Sequence, residues 1–350
     1  MKTLSTRLSA KDKVSLVSNL ATMLGAGIPI MESVDALLEE SKGDYKKVLD
    51  VLKEDLKAGN HVFSSFAKFP YIFNKVTVNL IKASEEAGTL ETTLKDIKLN
   101  IEEEMAFSDK VRSAMMYPMF IFAVFIAVFT TILLFVVPRV SEVFSRLNVP
   151  LPLPTKIMLA VSQFLVHNVV AIFIVSFVLG LGAFLLYRKK PQLIQAVVFA
   201  LPVVSNLVKE IDLTRFSRSM ALLLTAGLPI ATALELAQDV VVKKEVRDLV
   251  FQAREMVVSG KPFSEGLRKK KGVFPGMTIK LIEVGEKSGT LAESLQDISK
   301  NLDYQVSKSL KAATALLEPI MLVAVGLGVG GMMMAIIAPI YGLISQVGRH

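Results

Sequence analysis

Three glycines near the C-terminus, Gly326, Gly328 and Gly331, have the GxGxxG spacing that is typical of dinucleotide-binding loops. Such a loop follows a β-strand, whereas these glycines lie inside an uncharged run that covers residues 319–348. Together with Gly330 they form a row of small residues, which lets another membrane helix approach closely. We therefore expect these four glycines to pack membrane helices and to bind no cofactor.

Residues 285–289 superficially resemble a phosphate-binding loop, but the GxxxxGK pattern followed by Ser or Thr is absent. The chain has no cysteine, and its three histidines, His61, His167 and His350, are too scattered for a metal cluster. The HExxH and GxSxG motifs of metalloproteases and serine hydrolases are absent as well. The sequence therefore predicts a protein that is not an enzyme and that uses neither a cofactor nor a metal.

A long internal repeat organises the chain. The sequence AGIPI, which contains Gly27 and Pro29, recurs as AGLPI around Gly227 and Pro229, and apolar residues at helical spacing precede both motifs. Glycine suits a left-handed helix end, and proline suits the first turn of a helix. Each motif therefore predicts a tight helical hairpin, in which one helix ends at the glycine and the next restarts at the proline.

A second matched block pairs EEAGTL, which begins at Glu85, with EKSGTL, which begins at Glu286. Gly88 and Gly289 are expected to end one helix, and the helix that follows has no proline before the membrane, so each module is expected to continue into a span as one rod. Two interpretations of the glutamates remain open. Their carboxylates either bond backbone donors at the helix corner or form a partner interface.

Uncharged runs predict three membrane helices, and 52% apolar residues with a mean hydropathy of +0.51 place part of the chain in lipid. The repeat and these runs together predict an all-α protein with two homologous helical modules. In chain order the predicted segments are module 1 (1–112), membrane helix 1 (113–138), an external loop (139–165), membrane helix 2 (166–187), module 2 (188–311), membrane helix 3 (316–343) and an external tail (344–350).

Basic residues flank these spans on one side and predict a cytoplasmic N-terminus with both modules in the cytoplasm. The flanking groups are Lys110 and Arg112, residues 188–190, and Lys308 and Lys311. A further apolar run at 191–208, interrupted by a proline, leaves two alternatives open. It is either a buried or interfacial cytoplasmic helix, or a fourth crossing that would place module 2 on the opposite side of the membrane.

The two modules differ in charge. Residues 1–112 carry a formal net charge of −1 and residues 188–311 one of +7. The densest basic cluster consists of Arg268, Lys269, Lys270 and Lys271. This cluster fits an acidic partner protein or anionic lipid headgroups, and a solvated loop near the membrane is the simpler interpretation. No nucleic-acid partner is expected.

A transporter or channel component is the alternative function. The uncharged cores of the predicted spans, residues 113–138, 169–187 and 319–343, contain no Asp, Glu, Lys, Arg or His. Such side chains are costly in the bilayer and are retained where ions or protons move. Their absence from the sequence of these cores argues against an ion-coupled transporter.

With these motifs the chain resembles the type II secretion F family, the inner-membrane platform proteins of type IV pilus and type II secretion machines. The resemblance covers nearly the whole chain. It rests on FSRSMALLLTAGLPIATAL at 216–234 and its counterpart VSNLATMLGAGIPIMESV at 17–34, on the EEAGTL and EKSGTL blocks, on Tyr117-Pro118 and Glu318-Pro319 at the span entries, and on the three-span layout.

The resemblance implies two cytoplasmic six-helix bundles, an all-α membrane region and no intrinsic catalysis. It implies a multi-pass protein of the inner membrane that lies between a cytoplasmic hexameric assembly ATPase and pilins or pseudopilins. Other inner-membrane assembly proteins, membrane lipid and further copies of the chain in a homo-oligomer are the remaining expected partners.

Overall fold

The computed structural model describes residues 6–136 and 202–347 continuously, and outside them Leu4, Pro138, Arg139, Glu142, Ala160, Gln163, Phe164 and Asn168. Regular secondary structure in this part of the chain is helical, without a β-strand, which confirms the predicted all-α class. Apart from Asn168, the predicted membrane helix 166–187 lies outside the described residues. Most of the predicted external loop and the part of the 191–208 run before Pro202 lie outside them too, so the open alternative for that run stays open.

The first copy of the repeat folds into six helices within the described residues. They are α1 (Ala10–Gly25), α2 (Ile30–Glu40), α3 (Gly43–Lys57), α4 (Val62–Phe66), α5 (Lys75–Ala87) and α6 (Leu90–Thr131). A short π-helical segment, Ile132–Val136, continues from α6.

The second copy repeats this order. Its helices are α7 (Pro202–Thr225), α8 (Ile230–Gln238), α9 (Lys244–Val258), α10 (Phe263–Arg268), α11 (Gly276–Ser288) and α12 (Leu291–Val347). Helix α12 therefore extends into the predicted external tail at 344–350.

The first hairpin of module 1 is closed by a Schellman motif. Gly27 has a φ of +80°, and its N–H donates to the Leu24 carbonyl at 2.9 Å. The Ile28 N–H donates to the Met23 carbonyl, also at 2.9 Å. Pro29 has a ψ of 145°, which is extended, so α2 begins at the next residue and the proline precedes the first turn that we expected it to occupy.

Module 2 has the same hairpin. Gly227 has a φ of +80°, and its N–H donates to the Leu224 carbonyl at 3.0 Å, while the Leu228 N–H donates to the Leu223 carbonyl at 3.1 Å. Pro229 again precedes its helix. The two copies therefore share this backbone geometry bond for bond, although only part of the surrounding sequence is identical.

The second predicted corner is also glycine-dependent. Gly88 ends α5 with a φ of +71°, and Gly289 ends α11 with a φ of +77°. Each glycine is followed two residues later by a long helix, α6 or α12. Helix α6 contains Pro118 and helix α12 contains Pro319 and Pro339, and both helices continue past these residues.

The apolar positions of the repeat form the core. Leu16, Leu20, Phe216 and Met220 are all fully buried, as the helical spacing in both copies predicts. Buried apolar side chains of both modules belong to one continuous cluster. The division into two separate bundles therefore stays a prediction.

Spatial contacts divide the chain into two compact units. The first consists of Met1–Lys110 and Asn206–Lys308 and contains most of both modules; the second consists of Val111–Ser205 and Ser309–His350. Helices α6 and α12, with 42 and 57 residues, each contribute to both units. At about 1.5 Å per residue they are roughly 63 and 86 Å long.

Two helical stretches are long and apolar enough to cross a membrane, judged by length and composition. They are Leu90–Val136 and Leu291–Gly331, with peak mean hydropathies of 2.9 and 1.9. The first stretch includes residues 113–136 of the first predicted span, and the second overlaps the third predicted span at residues 316–331. Large apolar side chains on them are exposed, among them Met119, Phe120 and Leu327, as lipid contact requires.

One buried ion pair distinguishes module 1 from module 2. Asp55 accepts hydrogen bonds from Lys68 Nζ at 2.6 and 2.7 Å and from Ser65 Oγ at 2.8 Å. Burial opposes ionisation of Asp55, but these hydrogen bonds and the Lys68 charge outweigh it, so the pKa of Asp55 lies below its usual range. In module 2 the positions of Asp55 and Ser65 are occupied by Met256 and Gly266.

Candidate functional site

Glu85 caps the short helix α4 from the neighbouring helix α5. Its Oε1 accepts the Val62 N–H at 2.9 Å, and its Oε2 accepts the Phe63 N–H at 3.2 Å. His61 at the N-cap makes no side-chain capping bond, and its Nδ1 lies 3.3 Å from Glu85 Oε1. The carboxylate therefore supplies the acceptors that the first N–H groups of α4 need.

Glu286 has the same position relative to α10. It accepts the Phe263 N–H at 2.5 Å, and the Ser264 N–H and Oγ at 3.2 and 2.8 Å. The N-cap of α10 is Pro262, which has no capping side chain. These bonds support the structural interpretation of both glutamates, whereas their alternative role in a partner interface stays a prediction.

The basic cluster, residues 268–271, lies at the end of α10 and in the turn that leads to α11. Arg268 forms an ion pair with Glu283, and Lys270 Nζ lies 3.3 Å from Glu245 Oε1. The two other lysines are exposed and form no ion pair with the described residues. A partner for this cluster stays a prediction.

The four glycines that are predicted to pack membrane helices lie in the second half of α12. A Cβ atom added at Gly328 would lie 2.9 Å from Cζ of Phe125 in α6, so α6 and α12 approach closely at this point. Around Gly326, Gly330 and Gly331, an added Cβ would meet no atom of the described residues within 4 Å. Their predicted role in helix packing stays a prediction.

The two modules contact each other through charged residues whose pairing the sequence did not predict. Arg218 of α7 is only 8% exposed, and its Nε lies 3.1 Å from Glu103 Oε2 of α6. Lys110 of α6 bonds Asp303 of α12 at 2.8 Å. One sequence feature could have indicated the burial of Arg218. It lies between apolar residues of the repeat, at a position where module 1 has a serine.

A second contact joins α5 to α8. Lys75 Nζ lies 2.7 Å from Asp239 Oδ2, and this carboxylate raises the pKa of Lys75 by a hydrogen bond and by its charge. Both side chains are largely exposed, so the pair contributes little to stability. Val76, next in sequence, is 4% exposed and lines a small cavity with Arg215 and Leu222 of α7.

An open cleft of about 500 Å³ lies between α6, α7 and α12, where the two modules meet. Burial raises the pKa of Asp96, which lies in its wall. The lining contains acidic, basic and amide side chains without a grouping that would perform nucleophilic or acid–base catalysis. The lining residues are Asp96, Leu99, Asn100, Glu103, Arg218, Ala221, Leu222, Thr225, Ala292, Glu293, Gln296, Asp297 and Lys300.

Asp212 also differs from its counterpart in module 1. It is fully buried and accepts the Val242 and Lys243 N–H groups at 3.1 and 2.6 Å. Burial raises the pKa of Asp212, although the two backbone hydrogen bonds and the charges of Arg215 and Arg247 act in the opposite direction. Asp212 thus joins the start of α9 to α7.

Within the two long described ranges, no three His, Cys, Asp or Glu side chains are grouped so that they could hold a metal ion. The conspicuous features of this part of the chain are thus helix caps, an inter-module contact and exposed apolar helices. Comparison with known proteins identifies the kind of protein that combines them.

Similar proteins cover almost the whole chain. Type IV pilus assembly protein PilC of Thermus thermophilus is 29% identical over 341 residues, which are 96% of this chain and 84% of the relative. PilC of Pseudomonas aeruginosa is 27% identical over 346 residues, covering 98% and 92% of the two chains. Type II secretion system protein F of the same organism is 28% identical over 348 residues, covering 97% and 85%.

The family model for type II secretion system protein F matches twice, at residues 16–138 and 216–339. Each match begins in the first helix of a module and continues into the apolar part of its last helix. The two matches therefore lie on the two copies of the fold and begin six residues after the start of α1 and fourteen residues after the start of α7. The chain belongs to the type II secretion system protein F family.

Proposed function

We propose that this protein is the inner-membrane platform of a type IV pilus or type II secretion system. In this role it couples a cytoplasmic assembly ATPase to the polymerisation of pilin or pseudopilin subunits. The observation that carries the proposal is the continuity of α6 and α12, each of which begins at a glycine corner of a module and extends into an exposed apolar stretch.

Such continuity suits mechanical coupling. A helix without a break transmits a rotation or tilt along its length, whereas a flexible linker would absorb it. Two helices of this kind leave the same unit, which contains most of both modules. A movement imposed on that unit by an ATPase would therefore reach the subunits held in the membrane.

The names of the relatives support this role, since they are pilus assembly and secretion proteins. Pilins or pseudopilins, other inner-membrane assembly proteins and lipid are the remaining proposed partners. We also propose a multi-pass topology with a cytoplasmic N-terminus, because basic residues flank the predicted spans on the module side.

The basic cluster 268–271 is the proposed contact for the ATPase. The test measures whether the tagged full-length protein, in neutral detergent, retains the assembly ATPase of the same pilus or secretion system. K269E/K271E should lower retention at least several-fold. The matched control K46E/K57E makes the same charge change at two exposed lysines of module 1 and should retain the ATPase.

If wild-type protein retains no ATPase, the proposed coupling is wrong. Equal retention by both double variants would remove the cluster from the proposal. If K269E/K271E retains the ATPase and loses binding only to vesicles that contain anionic lipid, the cluster binds lipid headgroups.

A further inference from the structure

We propose that the protein self-associates head to tail. The exposed face of α11 and α12 in one chain docks onto the groove between α1, α2 and α3 of a second copy of the chain. This contact would repeat the one that module 1 makes with module 2 inside each chain.

The internal contact buries different faces of the two modules. Module 1 contributes α5 and α6, and module 2 contributes α7 and α8: Val76 and Thr77 line one small cavity with Arg215, Ser219 and Leu222. A symmetric contact would use α11 with α1 as well. Among the described residues, α1 and α11 form no extensive contact within the chain, so the interface is heterologous.

The face of α1 that matches the covered face of α7 is exposed. Ser15, Asn19 and Thr22 are exposed, whereas their counterparts Arg215, Ser219 and Leu222 are partly covered by module 1. Arg218 is 8% exposed for the same reason. The surface that module 2 uses for the contact inside the chain is therefore exposed on module 1.

The face of α11 that matches the covered face of α5 is exposed and apolar. Met277 is 68% exposed, whereas its counterpart Val76 is 4% exposed. Leu281 is 36% exposed, and its counterpart Leu80 is fully buried. Val284 extends this patch at the same helical spacing with an exposure of 62%, and Tyr304 of α12 is 70% exposed. Exposed apolar side chains that cluster in this way are typical of association surfaces.

The groove on module 1 has the size and charge to receive this face. It encloses about 750 Å³ between α1, α2 and α3. Its charged lining consists of Asp12, Glu39, Glu40 and one basic residue, Lys42, beside apolar residues such as Met23 and Leu37. The opposing face includes Lys280, one turn beyond Gly276, and belongs to the module with a net charge of +7. Acidic and basic surfaces of this kind favour the correct pairing.

In each chain a heterologous contact leaves one half of the interface uncovered on module 1 and the other half uncovered on module 2. It closes only when further copies form a ring. Two chains with two modules each form the smallest ring, in which modules 1 and 2 alternate and every face is covered once. This inference does not depend on the proposed function, and its test measures association alone.

The test uses the absence of cysteine from the chain. N19C with one tag and M277C with another are co-expressed, and membranes are treated with a short bismaleimide cross-linker. A cross-linked dimer that carries both tags is expected, because Ser219 and Val76, the counterparts of these residues, line one cavity. In the control, V258C replaces M277C, because Val258 is similarly exposed at 63%.

A second variant measures the assembly directly. M277D should shift the full-length protein in detergent from dimer to monomer, whereas V258D should leave the dimer intact. The inference is wrong if the wild-type protein is monomeric, or if N19C/M277C cross-links no better than N19C/V258C. Efficient N19C/N19C or M277C/M277C dimers would replace it with a symmetric contact.

Discussion

Glycine at the αL position is the residue-level determinant of both hairpins. An added Cβ at Gly227 would meet no atom of the described residues within 4 Å, so only its φ of +80° restricts substitution. Gly276 has equally open surroundings and no positive φ. Because neither position has a steric conflict, a comparison of the two isolates the effect of the positive φ.

We predict that Gly227→Val lowers the free energy of unfolding by about 1–2 kcal/mol, because a β-branched residue is strained in the left-handed region. Gly276→Val, at the first residue of α11, should change it far less. Circular dichroism melting of the purified full-length protein measures both. Equal melting of wild type and G227V would contradict the Schellman geometry.

The lowered pKa of Asp55 predicts that its contribution to the free energy of unfolding depends on pH. Since its folded-state pKa is lowered, its stabilising contribution is present above the ordinary aspartate pKa and is lost as pH falls through the lower folded value. Asp55→Asn should cost about 2 kcal/mol at pH 7, as expected for a lost charge-assisted hydrogen bond.

The difference between D55N and wild type should shrink as the pH falls below about 4. Denaturant melts at pH 7 and below pH 4 provide the measurement. Asp44→Asn is the control, since its pair with Lys47 is exposed and should contribute almost nothing. A difference that does not vary with pH would show that ionisation of Asp55 is irrelevant.

Sequence reasoning at this scale succeeds where the signal is local. A glycine with positive φ constrains its own backbone, so Gly27 and Gly227 could be located from the residues alone. Glu85 left two interpretations open because its backbone partners in α4 are more than twenty positions away. Arg218 was missed, because its burial depends on how the two modules dock and not on its neighbours in sequence.

At the scale of elements, the long helices could be predicted because nothing in their sequence interrupts them before the membrane. Pro118 did not end α6, which continues to Thr131. Prolines inside helices that cross membranes are accommodated by their surroundings. The candidate spans in α6 and α12 overlap the uncharged runs, and their exposed apolar surfaces follow from the same composition.

Helix continuity between module and membrane can be tested without changing the length of α6. A106G/S108G/D109G replaces three residues on its exposed side. Each glycine costs about 1 kcal/mol relative to alanine in a helix. The variant should retain its level in membranes, show faster hydrogen exchange near residue 108 and lose filament assembly or secretion.

The control S108A/D109A keeps the helix intact and should preserve activity. Faster exchange with normal filaments would show that a continuous α6 is not needed for coupling.

At the scale of the whole molecule, duplication explains why two modules with the same backbone have different surfaces. Module 1 covers α7 and α8, where Arg218 is buried, whereas the matching face of α1, which includes Asn19, is exposed. No periodicity in a single sequence reports which copy is covered. The asymmetry therefore became visible only in the structure.

The side of the membrane on which each module lies can be tested by cysteine labelling. K57C and V258C lie at equivalent exposed positions of the two modules, and S145C lies in the predicted external loop. An impermeant maleimide should label S145C in right-side-out membranes and label the other two only after permeabilisation. Labelling of V258C but not K57C from outside would show that residues 191–208 cross the membrane.

The distance in sequence between each cap and its helix has a consequence for synthesis. Helix α4 has five residues and depends on Glu85, which is translated about 23 positions after the helix begins. At about 5–20 residues per second, the ribosome adds this residue roughly one to five seconds later. During that interval the nascent chain lacks the acceptors for its first N–H groups, and the same delay recurs for α10. Each module therefore completes its fold only when its fifth helix has emerged.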